Sequence, residues 1–120
     1  MNNIQITKNI MKSNRNNKRK QYTISIPDII GQILEIGTNK ILYLTRTKPG
    51  TYIVATNNPH HEEQEERKIF PNGKYYYFTL PTRLLNEMKD EQINQAIFNI
   101  NFEHVDKVTN QRGIITLNIE

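Results

Sequence analysis

Polar and apolar positions alternate along "QYTISIP" (residues 21–27), so that Tyr22, Ile24 and Ile26 fall on one side of an extended chain. After Pro27 the spacing lengthens: Ile30 and Leu34 stand four residues apart, as on one face of a helix. The same change of period recurs in "YYYFTLP". Tyr76, Phe78 and Leu80 alternate up to Pro81, and Leu84 and Met88 follow four residues apart. Each proline predicts the boundary between a strand and a short helix. It keeps the residue before it extended and lacks an N–H that the first helical turn would leave unpaired.

Both copies then continue alike. The first runs through "EIGTNK", where Gly37 and Asn39 predict a turn, into "ILYLTRT" and "TYIVAT", which read as a hairpin across Lys48-Pro49-Gly50. The second runs through "KDEQINQ" into "AIFNINFE" and, beyond Gly113, "IITLNI". Each half therefore reads as strand, short helix, strand, strand, with a first unit at 21–56 and a second at 74–120. Between them, "NNPHHEEQEERKIFPNG" (57–73) is bounded by turn residues and reads as an acidic linker with one helical turn over its Glu-rich part. A unit of this size cannot close a core alone, and its strands leave open edges. The two halves are therefore expected to interleave into one globular body over 21–120: mainly β with short helices, an internal pseudo-dimer that leaves homodimerisation open.

Charge adds a third region. Residues 1–20 carry Lys8, Lys12, Arg15, Lys18, Arg19 and Lys20 with no acid, whereas the remaining chain holds ten basic and twelve acidic side chains. So polar and basic a stretch predicts a flexible N-terminal tail that tracks phosphates without reading sequence. There is no cysteine, which excludes disulfides and thiolate metal sites. No apolar run approaches the roughly 20 residues that span a bilayer, and the N-terminus lacks the apolar core of a signal peptide, so no membrane role is expected and a cytoplasmic setting is. Asn, Ile and Lys, whose codons are AT-rich, are abundant, as in genomes of viruses and mobile elements.

The strand ending in "ISIP", the helix running into Leu34-Glu35-Ile36-Gly37, and the hairpin after it together resemble the SpoVT/AbrB swapped-hairpin domain. "YTISIPDIIGQILEIG" is the closer of the two copies. The resemblance implies two β-α-β-β units interleaved in a swapped-hairpin barrel, and duplex DNA as the partner of a transcriptional regulator or DNA-coating protein. Members of that family commonly place basic residues four before the proline and four and five after it. Here those positions hold Thr23 and Tyr77, Gly31 and Gln32, and Leu85 and Asn86. DNA binding thus follows from the fold resemblance and the tail, not from matched contact residues.

The candidate nucleic-acid-binding residues are Arg15, Lys18, Arg19 and Lys20, which lead into the first strand; Lys74, its repeat counterpart, expected at the same end; Arg46 and Lys48 at the first hairpin tip; and Arg83 after the second proline. Tyr75 and Tyr77 join them, because the alternation turns them away from the core, where the first copy has Gln21 and Thr23. His60 and His61 are adjacent rather than four apart and read as part of a solvated linker, not a metal site. No nucleophile motif, phosphate loop or paired-carboxylate motif appears, so neither an enzyme nor a cofactor is expected. Two other readings stay open: a protein-interaction module, antitoxin-like or a virus-encoded inhibitor with a protein partner, and a binder of single-stranded nucleic acid.

Overall fold

The computed structural model of the chain describes residues 3–14, 20–102 and 113–120, with the backbone alone at Asn14. In the first half β1 (Asn3–Asn9), β2 (Met11–Asn14) and β3 (Lys20–Ser25) precede α1 (Asp28–Ile33), β4 (Ile41–Lys48) and β5 (Thr51–Ala55). In the second, β6 (Gln64–Lys68), β7 (Phe70–Asn72) and β8 (Tyr75–Thr79) precede α2 (Leu84–Glu87), a 3-10 turn at Asp90–Gln92, β9 (Gln95–Asn101) and β10 (Ile114–Ile119). The fold is mainly β with two short helices. Its strands form two antiparallel sheets, one in the order β1-β9-β10-β5-β4-β6 and the other β2-β3-β8-β7.

Both sheet orders are symmetric about their middle. In the smaller sheet Ile24 pairs with Phe78, flanked by Thr23 with Thr79 and Ser25 with Tyr77. Aligned on the two prolines, Ile24 and Phe78 are counterparts, so a pseudo-two-fold axis passes between them. Backbone hydrogen bonds repeat the relation: the Ile26 N–H donates to Tyr76 and the Leu80 N–H to Tyr22, at 2.8 and 3.0 Å. In the larger sheet β5 pairs with β10, and each half's hairpin is completed by a strand from the other half, β1 on β9 and β6 on β4.

The flexible tail expected over 1–20 is corrected for residues 3–14, and the helical turn expected in the linker is corrected too: these stretches are β1 and β2, and β6 and β7. β1 and β6 form because a hairpin of the opposite half offers an unpaired edge that must be satisfied, and β2 and β7 pair with β3 and β8 of their own half. One buried isoleucine interrupts each pair. Ile10 and Ile69 mark the corners where the chain passes from the six-stranded to the four-stranded sheet. Their N–H groups bond the carbonyls of Asn94 and Lys40, each just ahead of a partner strand. Few apolar residues announce these strands in the sequence, since β1 and β6 lie at sheet edges and are mostly wet.

The core lies between the inner faces. Ile24, Phe78, Leu44, Val54, Ile100 and Leu117 are all fully buried, as are Ile30 and Leu84 of the helices. No closed barrel forms among the described residues; both sheets stay open. α1 ends where Glu35, not Gly37, takes a left-handed conformation at φ 52°. The Asn39 amide and the Thr56 hydroxyl donate to the orphaned Leu34 carbonyl at 3.0 and 3.1 Å.

Candidate nucleic-acid interface

Strand alternation divides the smaller sheet into a core face and an open face. Tyr22, Ile24, Phe78 and Leu80 point inward. Gln21, Thr23 and Ser25 on β3, Tyr75, Tyr77 and Thr79 on β8, Met11 and Ser13 on β2, and Phe70 and Asn72 on β7 share the outer side through their cross-strand register. Phe70 lies opposite Tyr77, and their rings stack with centroids 5.9 Å apart and planes inclined by 19°. Phe70, Tyr75 and Met11 are the exposed apolar residues of this face. Sequence reasoning found Tyr75 and Tyr77 but missed Phe70. Gly73 was its signal: a two-residue hairpin loop at Gly73-Lys74, with Gly73 at φ 64°, brings Phe70 opposite Tyr77.

Lys20 and Lys74 do not share an end, as the sequence reading expected. Lys20 opens β3 and Lys74 lies in the turn before β8, and the two strands are antiparallel about the Ile24–Phe78 pair, so Lys20 stands at one end of the sheet and Lys74 at the other. Lys20 alternates with Tyr22 and Ile24 and lies on their side of the sheet, not on the open face. At roughly 3.4 Å per residue the two backbones are about 27 Å apart along the sheet. Arg15, Lys18 and Arg19 lie outside the described residues; the chain enters and leaves their segment at the paired residues Asn14 and Lys20.

At the first end Lys20 belongs to a polar knot around Asp90. Its ammonium donates to Asp90 Oδ2 at 2.8 Å, the Tyr22 hydroxyl donates to Oδ1 at 2.6 Å, and Lys12 Nζ donates to the Asp90 carbonyl at 2.8 Å. The Lys20 and Tyr22 hydrogen bonds hold the Asp90 carboxyl down at about 2. Burial, reinforced by Asp90, pushes the Tyr22 phenol up to about 12. Lys12 also sits 5.9 Å from the centre of the Tyr22 ring.

The remaining predicted cations divide. Arg46 is not a loose charge at a hairpin tip: it makes a half-buried pair with Glu87 of α2, which holds the Glu87 carboxyl below its ordinary range. Arg83 pairs with Glu63 and stands 4.0 Å from Glu87. Lys48 and Lys74 make no ion pair among the described residues. None of the acids Glu63, Glu87 and Asp90 was marked by a motif, because each meets its partner across 20 or more residues of sequence.

Each end of the sheet also holds a recess between a strand of one half and the helix of the other. The first, about 760 Å³, is lined by Lys20, Tyr22, Thr82, Asn86 and Asp90. The second, about 450 Å³, is lined by Lys74, Tyr75, Tyr76, Asp28 and Gln32. They are counterparts under the pseudo-two-fold axis, but only the first has its lysine tied to a carboxylate. His60 and His61 join no cluster of metal-binding side chains among the described residues, and no described helix is long and apolar enough to cross a membrane. No family model, curated protein or solved structure matches this chain.

Proposed function

We propose that this protein binds DNA inside the cell, as a regulator or DNA-coating protein of the SpoVT/AbrB swapped-hairpin kind, docking the four-stranded sheet and its two ends on a duplex. The carrying observation is the placement of Lys20 and Lys74 at opposite ends of the four-stranded sheet, related by the axis between Ile24 and Phe78. Two lysines about 27 Å apart on a two-fold-like body meet phosphates on either side of a groove. Arg15, Lys18 and Arg19 precede Lys20 in the sequence and make the stretch leading into it basic. The swapped-hairpin reading is supported by the exchange of edge strands between halves, β1 onto β9 and β6 onto β4.

The test is fluorescence anisotropy with a labelled mixed-sequence duplex at 50 and 200 mM salt. If about six phosphates are neutralised, affinity falls on the order of a thousandfold across that range. Replacing Arg15, Lys18, Arg19 and Lys74 by Gln weakens binding and flattens the salt dependence. Absence of binding at 50 mM salt, or an unchanged slope in the variant, refutes the proposal.

A further inference from the structure

The two halves present the same backbone positions with different side chains, and this gives the open face an internal control. Ile10 and Ile69 are counterpart corners, so Met11 corresponds to Phe70; aligned prolines make Gln21 correspond to Tyr75 and Thr23 to Tyr77. The registers agree, Met11 facing Thr23 as Phe70 faces Tyr77. The first half thus builds the same strand pair without an aromatic side chain on its outer side. The fold does not require Phe70, Tyr75 and Tyr77, yet the second half holds Phe70 and Tyr75 in the open, at 38% and 49% exposure, with Tyr77 half-buried against Phe70.

We propose that this aromatic half-face binds unpaired bases, so that the preferred ligand is DNA in which a duplex adjoins a short single-stranded stretch. The inference rests on the DNA-binding reading above and specifies the form of DNA. Exposed rings on an open sheet offer flat apolar surfaces to bases of any identity. Tyr75 and Tyr77 are two residues apart on β8, about 7 Å. That is twice the 3.4 Å rise per nucleotide of a duplex strand, and it suits bases splayed along an extended strand. Lys74 adjoins Tyr75 and carries no ion pair among the described residues, which leaves it for the backbone phosphates. The first half offers the polar Gln21 and Thr23 on this side instead, and its counterpart lysine, Lys20, is tied to Asp90 on the other. An apolar peptide would answer the rings but not the lysine; a single strand answers both.

The experiment compares labelled probes of equal length: a perfect duplex, the same duplex with a four-nucleotide single-stranded gap, and the free single strand. The full-length protein is expected to bind the gapped probe about tenfold or more tighter than the perfect duplex. The variant Phe70→Met, Tyr75→Gln, Tyr77→Thr installs the side chains of the first half, which this backbone already accommodates; circular dichroism and a cooperative melt verify its fold. In this variant the difference between gapped and perfect duplex disappears, whereas Tyr77→Phe, which keeps a ring, preserves it. Equal binding of the two probes by the unaltered protein overturns the inference and leaves the duplex reading standing. Preference that survives the triple variant also overturns it. Binding to none of the probes overturns both.

Discussion

Ile24 and Phe78 face each other across the middle of the four-stranded sheet, and each is the other's counterpart in the opposite half. Both are fully buried. A side chain at this place supports both halves at once, because the pseudo-two-fold axis runs between the two residues. Phe78→Ala is expected to cost about 3–5 kcal/mol and Ile24→Ala about 2–5 kcal/mol, by the lost burial and the cavity left behind. Urea denaturation measures both. The double variant should depart from additivity by at least about 0.5 kcal/mol, since the residues share one site. Strict additivity would show that the halves do not meet there.

The edge strands supply a second prediction. Ile10 is buried, and β1 covers β9 along seven register pairs. Removing residues 1–14 strips two strands and uncovers the hairpin edge that β1 satisfies, so the shortened chain should lose a cooperative thermal transition or melt far lower. A transition identical to that of the full chain would mean that β1 and β2 contribute nothing. The proposed role of the basic cluster in DNA binding is therefore read from substitutions of Arg15, Lys18 and Arg19, not from deletion.

Asp90 ties the 3-10 turn to β2 and β3, and its carboxyl sits at about 2 against an ordinary 3.8. A depressed carboxylate contributes stability that is fully present above the ordinary value and is lost as pH falls through the folded one. The acid limb of stability should thus fall between about pH 4 and pH 2, and Asp90→Asn should make it shallower. Tyr22 works in the opposite sense. Raised from 10.0 to about 12, it contributes stability below pH 10 that is lost as pH rises toward 12. Denaturant midpoints from pH 2 to 7 for both proteins test the Asp90 part; parallel curves would exclude it.

Gly50 and Gly73 both occupy left-handed backbone, at φ 79° and 64°. A methyl group on Gly50 would lie 3.0 Å from Met88 Sδ and 3.3 Å from the Ile119 carbonyl, whereas one on Gly73 meets nothing within 4 Å. Both alanine variants carry the conformational strain of about 1 kcal/mol. Gly50→Ala adds a clash and should be the more destabilising in thermal melts. Glu35 shows the converse: it is exposed and takes a left-handed conformation at φ 52°, so Glu35→Gly should leave stability unchanged or raise it by up to about 1 kcal/mol.

The change of period at Pro27 and Pro81 by itself determined β3, β8 and the helices that follow, and the turn residues at Pro49-Gly50 determined the first hairpin. These signals are local: a strand that buries one side must alternate, and a proline must interrupt it. Tyr76, Phe78 and Leu80 could therefore be assigned to the core side, and Tyr75 and Tyr77 to the open side, from the sequence alone. Only the tertiary structure decided the rest. Edge strands β1 and β6 bury too little to leave a pattern, and they are extended because the opposite half presents unpaired backbone groups. The ends at which Lys20 and Lys74 stand, the acids that claim Lys20, Arg46 and Arg83, and the stacking of Phe70 on Tyr77 all depend on an antiparallel pairing between halves, which joins residues that nothing in their local sequence connects.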